Sequence, residues 1–176
     1  MKRSIGISQW IGFGVTAAGG TILHFLYDWL GGKEWIAPFS GVNESTWEHM
    51  KLLFFPTFFY AVVEWFFMRE RKDFWQIKLL GITVGLVSIP VIFYTYNGAI
   101  VPSPDWLNVS IFFIAAAITY GTETWLFLKK EWKRTFPLCA FLALCTIAAL
   151  FVTFTFAPPH LGIFKDPISQ SYGIMQ

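Results

Sequence analysis

The chain has 176 residues, of which 55% are hydrophobic, 20% aromatic and only 14% charged. Soluble domains carry about 25% charged residues, and one of this size removes only about 70% of its surface from water on folding, so a soluble globule is excluded and the surplus apolar surface must face lipid. The net charge of +2 is too small to point to nucleic acid.

A helix crosses the hydrocarbon core of about 30 Å in about 20 residues. Five stretches meet that length: residues 9–30, 52–68, 74–96, 106–128 and 136–157. In lipid each backbone polar group must be paired within its own segment, which makes the spans helical. Barrel strands would alternate in character, and these runs do not. The sequence therefore predicts an all-α polytopic membrane protein of five transmembrane helices, one membrane-embedded domain over residues 1–176.

The first span follows Lys2 and Arg3 but carries His24 and Asp28 and lacks a small-residue cleavage site, which favours a retained helix over a signal peptide. Its Gly12, Gly14, Ala18, Gly19 and Gly20, with Gly81 and Gly85 of the third span, supply small residues for close helix packing. Pro90 is placed to kink the third span. In the fifth, Cys139 and Cys145 match neither a redox nor a zinc spacing and read as reduced packing residues.

Basic residues set the expected direction. Lys2 and Arg3 precede the first span, Arg69, Arg71, Lys72 and Lys78 flank the second connection, and Lys129, Lys130, Lys133 and Arg134 fill the fourth. The positive-inside rule puts the N-terminus in the cytoplasm and the C-terminus outside, in the cell membrane. The nine tryptophans agree: Trp10, Trp65, Trp75, Trp125 and Trp132 fall at inner ends, Trp29, Trp35, Trp47 and Trp106 at outer ends.

With this topology all three histidines, His24, His49 and His160, lie at the extracytoplasmic face. Each has a plain reading. Asp28, four residues from His24, orients its imidazole or is simply solvated. Ser45 and Glu48 form a capping box for the second span, and Asn43 shapes the turn before it. His160, after Pro158 and Pro159, is a loop residue. Together, His24, His49, His160 and Asp28 are candidate ligands for a divalent metal such as zinc, which in catalytic sites takes three protein ligands and keeps one position for water. Glu44 or Glu48 would be the catalytic base toward a metal-activated water. Lys51, Asp166 and Tyr172 would bind a small-molecule or lipid ligand, Lys51 through an anionic headgroup.

Three stretches also resemble a family: His24-Phe-Leu-Tyr-Asp-Trp29, Asn43-Glu-Ser-Thr-Trp-Glu-His-Met-Lys51, and Pro158-Pro-His160 with Phe164, Asp166-Pro167 and Tyr172-Gly173. They resemble uncharacterised small bacterial multi-pass membrane proteins classed as a domain of unknown function, along the full length. Relatives often carry serine after the tryptophan, where this chain has Leu30. The resemblance implies membership and no activity.

Glu64 and Glu123, in the inner third of the second and fourth spans, form a buried ion pair with Lys78 or line a proton or cation path. Three functions follow as expectations: a metal-dependent hydrolase at the outer leaflet, a small transporter or channel using Glu64 and Glu123, and a non-catalytic metal or ligand sensor. No inverted repeat supports transport; a small homo-oligomer would compensate.

Overall fold

The computed structural model describes residues 2–99, 105–129 and 131–174; the side chains of residues 2–3, 97–99 and 105–108, Trp106 among them, and all of Lys130, lie outside the described residues. Five helices follow in order: α1 (Lys2–Trp29), α2 (Thr46–Met68), α3 (Phe74–Ala99), α4 (Asp105–Phe127) and α5 (Pro137–Phe156), then a short 3₁₀ turn, η1 (Gly162–Phe164). All five are long and apolar enough to cross a membrane, and no strand occurs among the described residues.

The expected spans match these helices to within a few residues, except at two starts. The α1 helix runs back to Lys2, and α2 begins at Thr46 rather than near residue 52. The early start of α2 follows from its cap: Ser45 has extended backbone and its Oγ accepts from the Glu48 amide at 3.4 Å. The box is only half made. The Ser45 amide donates to Asn43 Oδ1 at 2.9 Å, not to Glu48, because the Glu48 carboxylate is engaged elsewhere. At the far end of α1, Gly31 and Gly32 take φ of +67° and +71°, a left-handed stop that side chains with a Cβ resist.

The bundle centres on α2, which packs against every other helix and η1. The closest approach is between α3 and α4. A Cβ on Gly81 would lie 2.3 Å from Glu123 Cγ, and one on Gly85 1.8 Å from Thr119 Oγ1. On α1, Gly12, Gly19 and Gly20 likewise face Tyr120 and Tyr60, Pro56, and Phe112. Gly14 has open space around it and Ala18 is exposed, so these two do not join the packed face. Gln9, Gly12, Thr16 and Gly20 are all buried and recur at helical spacing, which makes one inward stripe. Both α2 and α3 continue as helix through Pro56 and Pro90. Large apolar side chains cover the outside, among them Phe66, Phe67 at 85% exposure, Val91 and Leu138. In water such a surface would aggregate; in lipid it is the solvent-facing side. Both cysteines are free.

At the end of the bundle where α2 finishes, the second and fourth connections are tied together. Arg71 grips buried Asp73 at 2.9 and 3.0 Å and donates to the Phe127 carbonyl. Asp73 also accepts from the Trp132 amide, and Glu131 from the Lys72 amide. At the opposite end the tail folds over the start of α2. Trp47 packs at tilted angles among Phe151, Phe154 and Phe164, so it packs the tail as much as it anchors an interface. Asn43 Nδ2 donates to the Gly173 carbonyl at 2.9 Å.

Candidate metal centre

The first connection is clamped onto the last turns of α1, and this clamp fixes His24. The buried Ser40 hydroxyl donates to the Leu23 carbonyl and accepts from the Tyr27 amide, bridging two groups that would otherwise bond each other in the helix. The Gly41 amide donates to the same carbonyl. The chain then turns through Asn43 into the Ser45 cap, placing Glu44 just before α2 and His49 one turn into it.

These constraints bring His24, Glu44 and His49 together. His24 Nε2 lies 3.7 Å from Glu44 Oε1, and His49 Nε2 lies 3.5 Å from Glu44 Oε2. The two imidazole centroids are 5.5 Å apart. One donor atom from each of the three residues falls within 4.8 Å of the other two. All three side chains are half-buried, Glu44 the most open at 43%.

The chemistry of this group favours a cation. His49 Nδ1 lies 3.0 Å from the Ser45 carbonyl. A carbonyl only accepts, so Nδ1 carries the hydrogen. In the neutral ring Nε2 is then a bare lone pair aimed at a carboxylate oxygen. Two acceptors face each other across 3.5 Å, an arrangement that a positive centre between them stabilises. Donors bound tetrahedrally at about 2.1 Å from zinc lie about 3.4 Å apart. Each His–Glu separation is close to this but runs to a different oxygen, and with one donor atom per residue the set lies within 4.8 Å, so a zinc ion would draw the three side chains together. The Ser45 carbonyl is the kind of outer partner that fixes the tautomer of a ligating histidine.

The other expected site residues are placed as follows. Asp28 is exposed; its carbonyl accepts from the Gly31 amide at 3.0 Å, and among the described residues its carboxylate has no hydrogen bond or ion pair. His160 is exposed and stacks on Tyr172, centroids 4.7 Å apart and planes 15° apart, outside the group of three. Glu48 is buried and ion-paired with Lys51 at 2.5 Å, with the Val42 amide donating to the same oxygen. Lys51 is fully buried, and its ammonium donates to Glu48, the Ala37 carbonyl at 2.8 Å and Thr155 Oγ1 at 2.9 Å. Its three protons are therefore all used inside the protein, joining α2 to the first connection and to α5. Asp166 is buried and closes the tail turn by accepting from the Ile168 amide and Ser169 Oγ.

Deeper in the bundle Lys78 is paired with both Glu64 and Glu123. Glu64 Oε1 also accepts from Ser8 at 2.6 Å and Gln9 at 2.8 Å. Sequence reading missed Ser8 and Gln9. The signal was present: a glutamine inside an apolar span, on the helical face shared with Gly12, Thr16 and Gly20.

A model of a family of unknown function, DUF6512, matches residues 1–174 of the chain. No curated protein and no solved structure matches it.

Proposed function

The chain belongs to the DUF6512 family of unknown function, which brings no activity with it, and from its own residues we propose that it is a divalent-metal-binding membrane protein with His24, Glu44 and His49 as ligands. The observation that carries this is the pair of His nitrogens flanking the two oxygens of one carboxylate at 3.7 and 3.5 Å. Two imidazoles and one carboxylate suit zinc, cobalt or another first-row ion better than calcium or magnesium, which prefer all-oxygen shells. We place the site at the extracytoplasmic face of the cell membrane. The concentration of Arg69, Lys72, Lys129, Lys133 and Arg134 at the far ends of the helices supports that direction.

A hydrolytic reading has one specific support. Three protein donors leave a position for water, as in catalytic zinc sites, and the half-exposed Glu44 opens toward solvent. It has one specific difficulty: Glu48, the buried carboxylate nearest in sequence, is held by Lys51 and cannot serve as base. Lys51, with its protons used internally, is read here as structural, and the exposed His160–Tyr172 stack is the better candidate contact for a small-molecule or lipid ligand.

The test is cobalt(II) titration of the detergent-purified protein. Visible d–d bands of a low-symmetry site should appear with one equivalent of cobalt, be displaced by zinc, and vanish in H24A, H49A and E44A. They should survive H160A and D28A. Absence of the bands in the wild type, or their survival in H49A, contradicts the proposal. Ligating histidines must be neutral, so affinity should fall as pH drops.

A further inference from the structure

The Lys78 cluster holds two carboxylates against one ammonium, with all three side chains fully buried. The groups facing it come from four helices: Ser8 and Gln9 on α1, Tyr60 and Glu64 on α2, Lys78 on α3, and Tyr120 and Glu123 on α4. Lys78 is the only cation among them, so with both glutamates ionised the cluster carries an uncompensated negative charge inside the bundle. An uncompensated charge in a low-dielectric interior is far more costly than binding one more positive charge.

The two glutamates are not equivalent. Glu64 is the better served as an anion: Oε1 receives hydrogen bonds from Ser8 and Gln9, and Oε2, which has no hydrogen bond, is ion-paired with the Lys78 ammonium. Glu123 receives Lys78 on Oε2 at 2.5 Å, and its Oε1, although buried, has no hydrogen-bond partner. The carbonyl oxygen of Gln9, also buried, has none either. Of the two carboxylates, Glu123 is thus the one with an oxygen that has neither a hydrogen bond nor an ion pair among the described residues. Gln9 and Tyr120 also line a groove of about 490 Å³ between α1 and α4, together with Gly6, Trp10, Gly121 and Thr124. The groove thus reaches two members of the cluster from outside the bundle.

We propose that the Lys78 cluster binds one exchangeable proton, carried on Glu123, with the groove between α1 and α4 as its route to solvent. In the exchange step the O–H bond of the Glu123 carboxylic acid breaks, its electron pair stays on the carboxylate, and the proton passes to water in the groove. Lys78 stays charged throughout, bridging the two glutamates. This site is separate from the histidine group and does not depend on it.

Infrared spectroscopy of the purified protein at neutral pH tests it. A protonated-carboxyl C=O band is expected, shifting on transfer to D₂O, lost in E123Q, and displaced in frequency by E123D but not by E64D, because only the residue that carries the proton changes from a glutamic to an aspartic acid. Glutamine is nearly isosteric with the neutral acid, so E123Q should keep its Tm within a few degrees while E64Q loses more. Filling the groove with G121L, at a glycine with nothing within 4 Å of its Cβ position, should slow the D₂O shift at least tenfold without moving Tm. No carboxyl band in the wild type overturns the proposal, as does a band that survives E123Q. If E123Q does not fold, a band displaced by E64D and unmoved by E123D overturns it instead. An unchanged exchange rate in G121L overturns the route. A sodium-dependent rise in Tm without a carboxyl band would assign the extra charge to a metal cation and equally overturn the proton.

Discussion

Replacing Lys51 by methionine separates a structural lysine from a ligand-binding one. The Lys51 side chain is fully buried and that of Glu48 is 3% exposed, so solvent screening is slight. K51M keeps the aliphatic volume but removes three hydrogen bonds and leaves Glu48 without its cation. Breaking a buried ion pair on one side costs about 3–5 kcal/mol. Glu48 escapes part of this by taking up a proton, which places the expectation near the lower figure, about 3 kcal/mol. In a chain of this size each kcal/mol moves Tm by about 2–4 °C, so K51M should unfold about 6–12 °C below wild type in the same detergent. The double variant E48Q/K51M removes both charges and should recover at least half of that loss, because the pair is coupled. Thermal unfolding followed by circular dichroism reads both. An unchanged Tm in K51M, or a double variant that loses the sum of its singles, refutes the reasoning and would return Lys51 to the role of a headgroup contact.

G85A should destabilise the contact between α3 and α4 by about 1–3 kcal/mol through overpacking, since its Cβ would meet Thr119; G121A, with open space, should not, and equal Tm values for the two would contradict the packing. N43A removes the side chain that holds Ser45 and Gly173. At about 1–1.5 kcal/mol per hydrogen bond, the tail should open about tenfold more often and be cleaved correspondingly faster in limited proteolysis, with no change if the tether is unimportant. A reporter fused after Gln176 should be active only if it is a type that works outside the cytoplasm; activity of a cytoplasmic reporter there would reverse the direction of the bundle.

The five spans were legible because crossing a membrane requires a sustained apolar run, a property of the one-dimensional sequence. The start of α2 was hidden by the same logic: Glu48, His49 and Lys51 lower the local hydropathy, yet Glu48 and Lys51 neutralise each other three residues apart on one helix face and are buried. Two of the three clustered residues, His24 and His49, were marked as metal candidates, and Glu44 as a base rather than a ligand. What set Glu44 between them was the clamp of Ser40 on the turn of α1 around Leu23, a contact between distant segments that no spacing announces. The stacking of His160 on Tyr172 is another such contact. Lys78 lies near both Glu64 and Glu123 in depth, and the sequence suggested an ion pair; that one lysine bridges both carboxylates required the crossing of three helices.

Elemental analysis of the protein, purified without chelator and without a nickel-affinity tag, tests the metal reading most directly. Near one equivalent of zinc or another first-row divalent metal per chain is expected in the wild type and in H160A, falling to background in H24A, E44A and H49A. Background metal in a folded wild type that also takes up none on addition of zinc would contradict it.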